Sequence, residues 1–248
     1  MARLEPSDDR RDTDRLMAAL VAVGALAFAA SPLLSPGFNG FTPGQFPVPQ
    51  TDPPVQPAGY AFAIWGPIYL WLIAGAVFGL VRRDADPAWR AMRPPLLLSL
   101  AVGAAWIPVA NLSPVWATAL IWVMLAGAIL ALMRAGPSDR PWMRSPVAFY
   151  AGWLTAASCV ALGMVLAGHG ILDMQIAALA MIALALAIAL AVLALRPDAP
   201  EFAVSVIWAL AGIIAANAAP LNLAVVTLAA AGIVLLIWQA WRGAARDY

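Results

Sequence analysis

Eight apolar runs, separated by segments rich in charge, proline or glycine, divide the 248-residue chain. They cover about 16–34, 60–81, 95–111, 115–133, 146–167, 173–195, 201–218 and 221–241. Most approach the ~20 residues that a helix needs to cross a ~30 Å hydrocarbon core. The pattern predicts an all-α fold, a polytopic transmembrane bundle of about eight helices. Residues 1–15, MARLEPSDDRRDTDR, mix four Arg with five acidic residues and are expected to form a disordered tail. The longest connection, Ser35 to Gly59, holds seven prolines and a single charge, Asp52. Such a segment cannot propagate a helix, so it lies extended, either as a lid over the membrane face or as a floppy connector. Pro108 is expected to break the third run near its end, and Ser113-Pro114 to turn the chain into the fourth.

The distribution of arginine tests this division. There is no Lys, and the 14 Arg fall in successive connections, from the N-terminus onward, as 4, 0, 4, 0, 3, 0, 1, 0 and 2. Every basic residue thus lies on one side, and a missed or extra span would destroy the alternation. The positive-inside rule puts that side, with both termini, in the cytoplasm and the proline-rich loop outside. The first run has an Arg-rich approach and the small residues Ala27 to Ala30, which also resemble a secretory signal peptide. It is read as a retained span, because it continues to Leu34. With 63% hydrophobic residues, 11% charged residues and a mean hydropathy of +0.84, an integral membrane protein in contact with the lipid bilayer is expected, in a bacterial inner membrane. A net charge of +1 singles out no charged partner, and no nucleic-acid partner is expected.

Chemistry then enters mainly through its absence. No Asp, Glu, Arg or His occupies the middle of a run, which disfavours proton-coupled transport. Phosphate-binding glycine loops, zinc patterns, a nucleophile elbow and paired haem-ligand histidines are missing too, so acid, base or metal catalysis is not expected. The lone Cys159 and the lone His169 make no metal site. What remains is aromatic. In the second run Phe62, Trp65, Tyr69 and Leu72 recur three or four residues apart and share one helical face. That face serves either as an interfacial anchor or as a pocket wall. Trp65, Trp106 and Trp153 lie deeper, where an indole N–H needs an acceptor. Pro67 and Pro108 free the carbonyls of Ala63 and Ala104, which are candidates. Trp89, Trp142, Trp238 and Trp241 sit beside arginines and fit an interfacial belt. Gly75 and Gly79 are spaced for close helix packing rather than as a dimerisation signal, though a homodimer stays open.

Three ordered motifs resemble the translocator-protein family, the tryptophan-rich sensory proteins (TspO/MBR). They are Pro57 followed by Phe62, Trp65 and Tyr69; Trp106-Ile-Pro108-Val109, with Ala117-Thr118-Ala119-Leu120 after a tight turn; and Tyr150-Ala-Gly-Trp153-Leu-Thr155-Ala156-Ala157. The resemblance covers residues 16–167, a five-helix core, and leaves 168–248 as a three-helix C-terminal extension. Gly103 and Ala161 stand where the family often has Asn. It implies binding of a tetrapyrrole such as protoporphyrin or haem, or in some members a sterol, in a pocket under the first loop, with no covalent cofactor. By the same resemblance Trp65 and Trp153 are the pocket indoles and Phe62, Tyr69, Trp106 and Tyr150 its walls. Some members promote light-dependent porphyrin breakdown through such tryptophans. The expected function is a receptor- or sensor-like membrane protein for a planar hydrophobic small molecule. A transporter or permease and a structural subunit of a membrane complex are the alternatives.

Overall fold

The computed structural model describes residues 8–35 and 38–244. Among them are nine α-helices: α1 (Asp8–Leu34), α2 (Trp65–Arg82), α3 (Pro87–Arg90), α4 (Arg93–Leu112), α5 (Pro114–Arg134), α6 (Arg144–Gly168), α7 (Met174–Leu195), α8 (Pro200–Ala216) and α9 (Leu223–Ala244). Two 3-10 segments, Pro43–Gln45 and Gly59–Ile64, interrupt the long connection. Seven helices are long and apolar enough to cross a membrane. The eighth apolar helix, α8, has only 17 residues. Its first turn nevertheless meets the α5–α6 connection, through Glu201 and Arg140, and its C-cap meets the α1–α2 connection, through Asn217 and Pro54. It therefore runs the whole way between the two loop layers.

α6 is the centre of the bundle, packed by α5, α7, α8 and α2. Lipid tails are as apolar as Leu, so helices in a membrane are held by close approach rather than by burial of oil from water. α6 supplies that approach with small residues. A Cβ at Gly152 would collide with the Phe202 carbonyl and the Ser205 hydroxyl of α8. Gly75 and Gly79 of α2 are used the same way inside the chain, one against the Trp142 carbonyl and the other against the Trp89 ring. Large aliphatic side chains such as Leu16, Val23, Leu70 and Ile237 stay exposed, as lipid-facing residues do.

At the arginine-rich end the segments that carry basic residues meet one another. Arg90 of α3 donates to Asp14 of α1 at 2.7 and 3.0 Å, and Arg83 donates to Asp139 at 2.8 Å. Arg144 and Arg196 both pair with Asp198. Arg93, only 2% exposed, donates to the carbonyls of Arg83 and Asp84, both at 2.6 Å, and so closes the end of α2.

Three expectations are corrected here. The disordered tail is too long, because α1 begins at Asp8; Asp14 is buried against Arg90, which holds the polar first turns in place. Residues 1–7 lie outside the described residues. Pro108 does not break α4, which continues to Leu112, where Ser113 ends it and caps α5 by accepting from the Trp116 N–H. Trp89 does not belong to the interfacial belt: it is 3% exposed and its Nε1–H donates to Asp139 at 3.1 Å. Trp142, Trp238 and Trp241 are exposed, as a belt requires.

The Arg83 guanidinium, through its hydrogen bond, holds the Asp139 carboxyl below its ordinary value, with Trp89 adding to the effect against the opposing cost of burial. A carboxyl with a depressed folded value contributes stability above its unfolded value, about 3.9, and loses it as pH falls through the folded one. Asp139 has φ of +51°, a conformation Asn tolerates well. Asp139→Asn should therefore lower stability by about 1 kcal/mol near pH 7 and by almost nothing near pH 2. Unfolding of both proteins across pH in detergent checks this; an unchanged gap at low pH would contradict it.

Candidate functional site

The site is built where the long connection enters α2. Gly59–Ile64 is a 3-10 turn, and α2 starts at Trp65. Pro67 falls in the first turn of α2, where its missing N–H goes unused. Tyr69 follows Trp65 by one helical turn, and their rings stack with centroids 5.4 Å apart. Phe28 of α1 meets both edge-on, at 5.6 and 5.0 Å. From α6, Trp153 packs edge-on against Trp65 at 6.0 Å and Phe62 at 6.1 Å. Phe38, in the long connection, bridges Phe62 at 6.3 Å and Trp106 at 4.8 Å. All six residues singled out in the sequence thus join one network of rings, completed by Phe28 and Phe38.

Two chambers lie on either side of these rings. An inner one of about 50 Å³ sits beneath the loop, between Phe38, Phe41 and Gln56 above and Trp153, Ala157, Val160 and Ala161 of α6. A lateral one of about 500 Å³ lies between α1, through Phe28, Ala29, Pro32 and Leu33, and the 3-10 turn and α2, through Tyr60, Ala63, Gly66 and Tyr69. Phe38, Phe62, Trp65 and Trp106 line both, so they form the partition. A vestibule of about 480 Å³ adjoins the lateral chamber at Asn39 and the inner one at Gly40 and Phe41, with Thr42, Gln45 and Asn111 on its rim. Tyr150 is fully buried, lines neither chamber and supports Phe28 from behind, 5.7 Å away. Its hydroxyl hydrogen-bonds Ser99 at 2.9 Å, and Ser99 donates to the Met124 carbonyl.

Neither Trp106 nor Trp153 donates to the carbonyl freed by Pro67 or Pro108. Trp106 donates to the Ala117 carbonyl of α5 at 2.8 Å, not to Ala104. Trp153 is 2% exposed, and its Nε1–H has no protein acceptor. It is a buried donor at the wall of the inner chamber. The lining residues of both chambers include no histidine, cysteine or carboxylate, and among the described residues no group of three such side chains could hold a metal. The walls are flat aromatic rings, and a haem iron would find no histidine, cysteine or carboxylate ligand there; Met124 is the sulfur-bearing side chain of the lateral lining, and Tyr60 and Tyr69 are its phenols.

The long connection is a lid held at three points. Gln45 donates to the Ala110 carbonyl of α4 at 2.9 Å, the Val48 N–H to Gly168 of α6 at 2.9 Å, and the Ala58 N–H to Gly212 of α8 at 3.0 Å. Phe28 and Phe38 were not singled out in the sequence. Phe28 is the one aromatic residue in an otherwise aliphatic run, and Phe38, Phe41 and Phe46 recur through the proline-rich loop, so each carried a weak signal. Phe28 also explains the departure at Gly103. A Cβ there would lie 2.7 Å from the Phe28 ring and 3.0 Å from Met124, so the phenyl takes the space a longer side chain at 103 would need.

Gly103→Ala should consequently destabilise the protein by about 1–3 kcal/mol. Adding Phe28→Leu should recover part of that loss, giving a non-additive double-mutant cycle. Equilibrium unfolding of the two single variants and the double variant measures it, and strict additivity would show that the two sites do not share space.

Comparison with known proteins places this architecture. A family model described as TSPO-like protein matches residues 16–240, running through α7 and α8 into α9. No curated protein and no solved structure matches the chain significantly. At the level of the family, the match points to a membrane sensor or binding protein. The ring-lined chambers, the lid above them and a match over nearly the whole chain converge, and the protein belongs to the TSPO-like family.

Proposed function

We propose that the protein is a membrane receptor or sensor that binds a planar, mainly apolar ligand of the tetrapyrrole type in the lateral chamber, with the loop end facing away from the cytoplasm. The observation that carries this reading is the match of size and shape. The lateral chamber, about 500 Å³, falls within the range of ~300–1,000 Å³ usual for small-molecule sites. Its walls present the flat rings of Trp65, Tyr69 and Phe28. The inner chamber, about 50 Å³, has room only for a small substituent, and Trp153, whose buried N–H has no protein partner, is one of its lining residues.

Charge narrows the ligand further. None of the residues that line the chambers or the vestibule is an arginine, so among the described residues no cation waits beside them. Carboxylates on a porphyrin would gain no ion pair and would rest in the vestibule, where uncharged Asn39, Thr42 and Gln45 line the rim. With no histidine, cysteine or carboxylate in the lining to ligate an iron, recognition of the ring rests on stacking and shape.

Addition of metal-free protoporphyrin to the protein in lipid nanodiscs should quench tryptophan emission saturably. Trp65→Phe and Trp153→Phe should each weaken the affinity by about three- to tenfold, the scale of one aromatic contact. The dimethyl ester of protoporphyrin should bind at least as tightly as the free acid, because its lost charges had no partner. Saturable binding indifferent to both substitutions, or binding lost on esterification, would overturn the reading.

A further inference from the structure

We propose that α8 is the clasp that sets the position of the lid and of the 3-10 turn beneath it, with Trp208 and Asn217 as positioning residues for the aromatic chambers. Its consequence for binding rests on the ligand reading above; its structural content does not.

Three hydrogen bonds from α8 reach the chain just before α2. The Asn217 amide donates to the Pro54 carbonyl at 2.9 Å, the Gly212 carbonyl accepts the Ala58 N–H at 3.0 Å, and the Trp208 Nε1–H donates to the Ala61 carbonyl at 2.9 Å. The Trp208 ring also meets Tyr60 edge-on, 5.8 Å away. These contacts bracket the 3-10 turn that carries Phe62 and delivers Trp65. In an apolar layer an unpaired peptide group is costly, so each bond fixes the backbone strongly. Contact is also close: a Cβ at Gly212 would lie 2.9 Å from Ala61 and 3.0 Å from Pro57. Ala209, three residues before Gly212, lines the inner chamber itself.

α8 is suited to this because it is anchored at its other end. Glu201 in its first turn pairs with Arg140 at 3.0 Å and accepts from the Ser145 hydroxyl at 2.8 Å. Gly152 lets it lie directly on α6, the helix that carries Trp153. The helix that fixes Trp65 from one side is thus seated on the helix that carries Trp153, so α8 sets the spacing between the two indoles.

The test uses the full chain in nanodiscs with two variants. Trp208→Phe keeps the ring and removes the donor, and Asn217→Leu removes the other side-chain donor. The control is Gln175→Leu, which removes the α7 partner of an amide pair with Asn222 and does not touch the lid. Amide hydrogen exchange of residues 54–64 should accelerate about tenfold in each clasp variant, the scale of one lost hydrogen bond, with α4 and α6 unchanged and the control like the parent. Metal-free protoporphyrin affinity, followed by the shift of its absorption band, should fall about fivefold in the clasp variants only. Unchanged exchange at 54–64 in both variants, or an increase shared equally by α4 and α6, would overturn the clasp. If the parent protein binds no porphyrin, the ligand reading fails, while the exchange result still decides the role of α8.

Discussion

How closely other elements can approach α6 decides the rest of the molecule. Three glycines along it each admit a different neighbour. Gly152 receives the backbone of α8, Gly163 receives Met181 of α7 and Val55 of the lid, and Gly168 receives the ring of Phe46. A side chain at any of these would push its neighbour outward. With α8 seated on Gly152, its far end reaches the 3-10 turn; with Phe46 seated on Gly168, the lid lies flat over the chambers. Trp65 and Trp153 meet because both layers are held to the same helix. Tight packing of small residues, which lipid cannot imitate, is therefore the origin of the site as well as of the bundle.

The two ends of the bundle divide their tasks. At the arginine-rich end, ion pairs and the buried guanidinium of Arg93 tie α1, α2, α3 and the α5–α6 and α7–α8 connections together. These are directional, charge-assisted contacts, and they leave little free space between them. At the loop end the contacts are rings and single backbone hydrogen bonds, and the space is concentrated there. The pH-sensitive ion pairs lie at one end, whereas the linings of the chambers at the other include no carboxylate, histidine or arginine. A ligand at the loop end would meet shape and stacking rather than a charge.

Much of this was written in the sequence in a readable form. The alternation of arginine-bearing and arginine-free connections located the eight apolar helices, since a charge cannot be hidden in the wrong layer at low cost. The spacing of Phe62, Trp65 and Tyr69 gave a shared face, and the structure gathers Trp106 and Trp153 with them. What could not be read was pairing between distant segments. Asp14 looked like part of a solvated tail because its partner, Arg90, lies far along the chain. Trp89 looked interfacial because only the fold brings Asp139 to its N–H. Gly103 stands where the family often has a polar group, and only the fold puts Phe28 in the space beside it. Local periodicity reports faces; it does not report which face another helix will fill.

On the proposed reading a planar ligand enters between α1 and α2 and lies against Trp65 and Tyr69, beneath a lid held by α8. A structure of the full chain in nanodiscs, determined with metal-free protoporphyrin dimethyl ester, decides whether it does. Density for a flat ring is expected within the lateral chamber, in contact with Phe28, Trp65 and Tyr69, with one edge toward Asn39. Density confined to the lipid-facing surface of other helices, with the lateral chamber filled only by solvent or lipid, would contradict it.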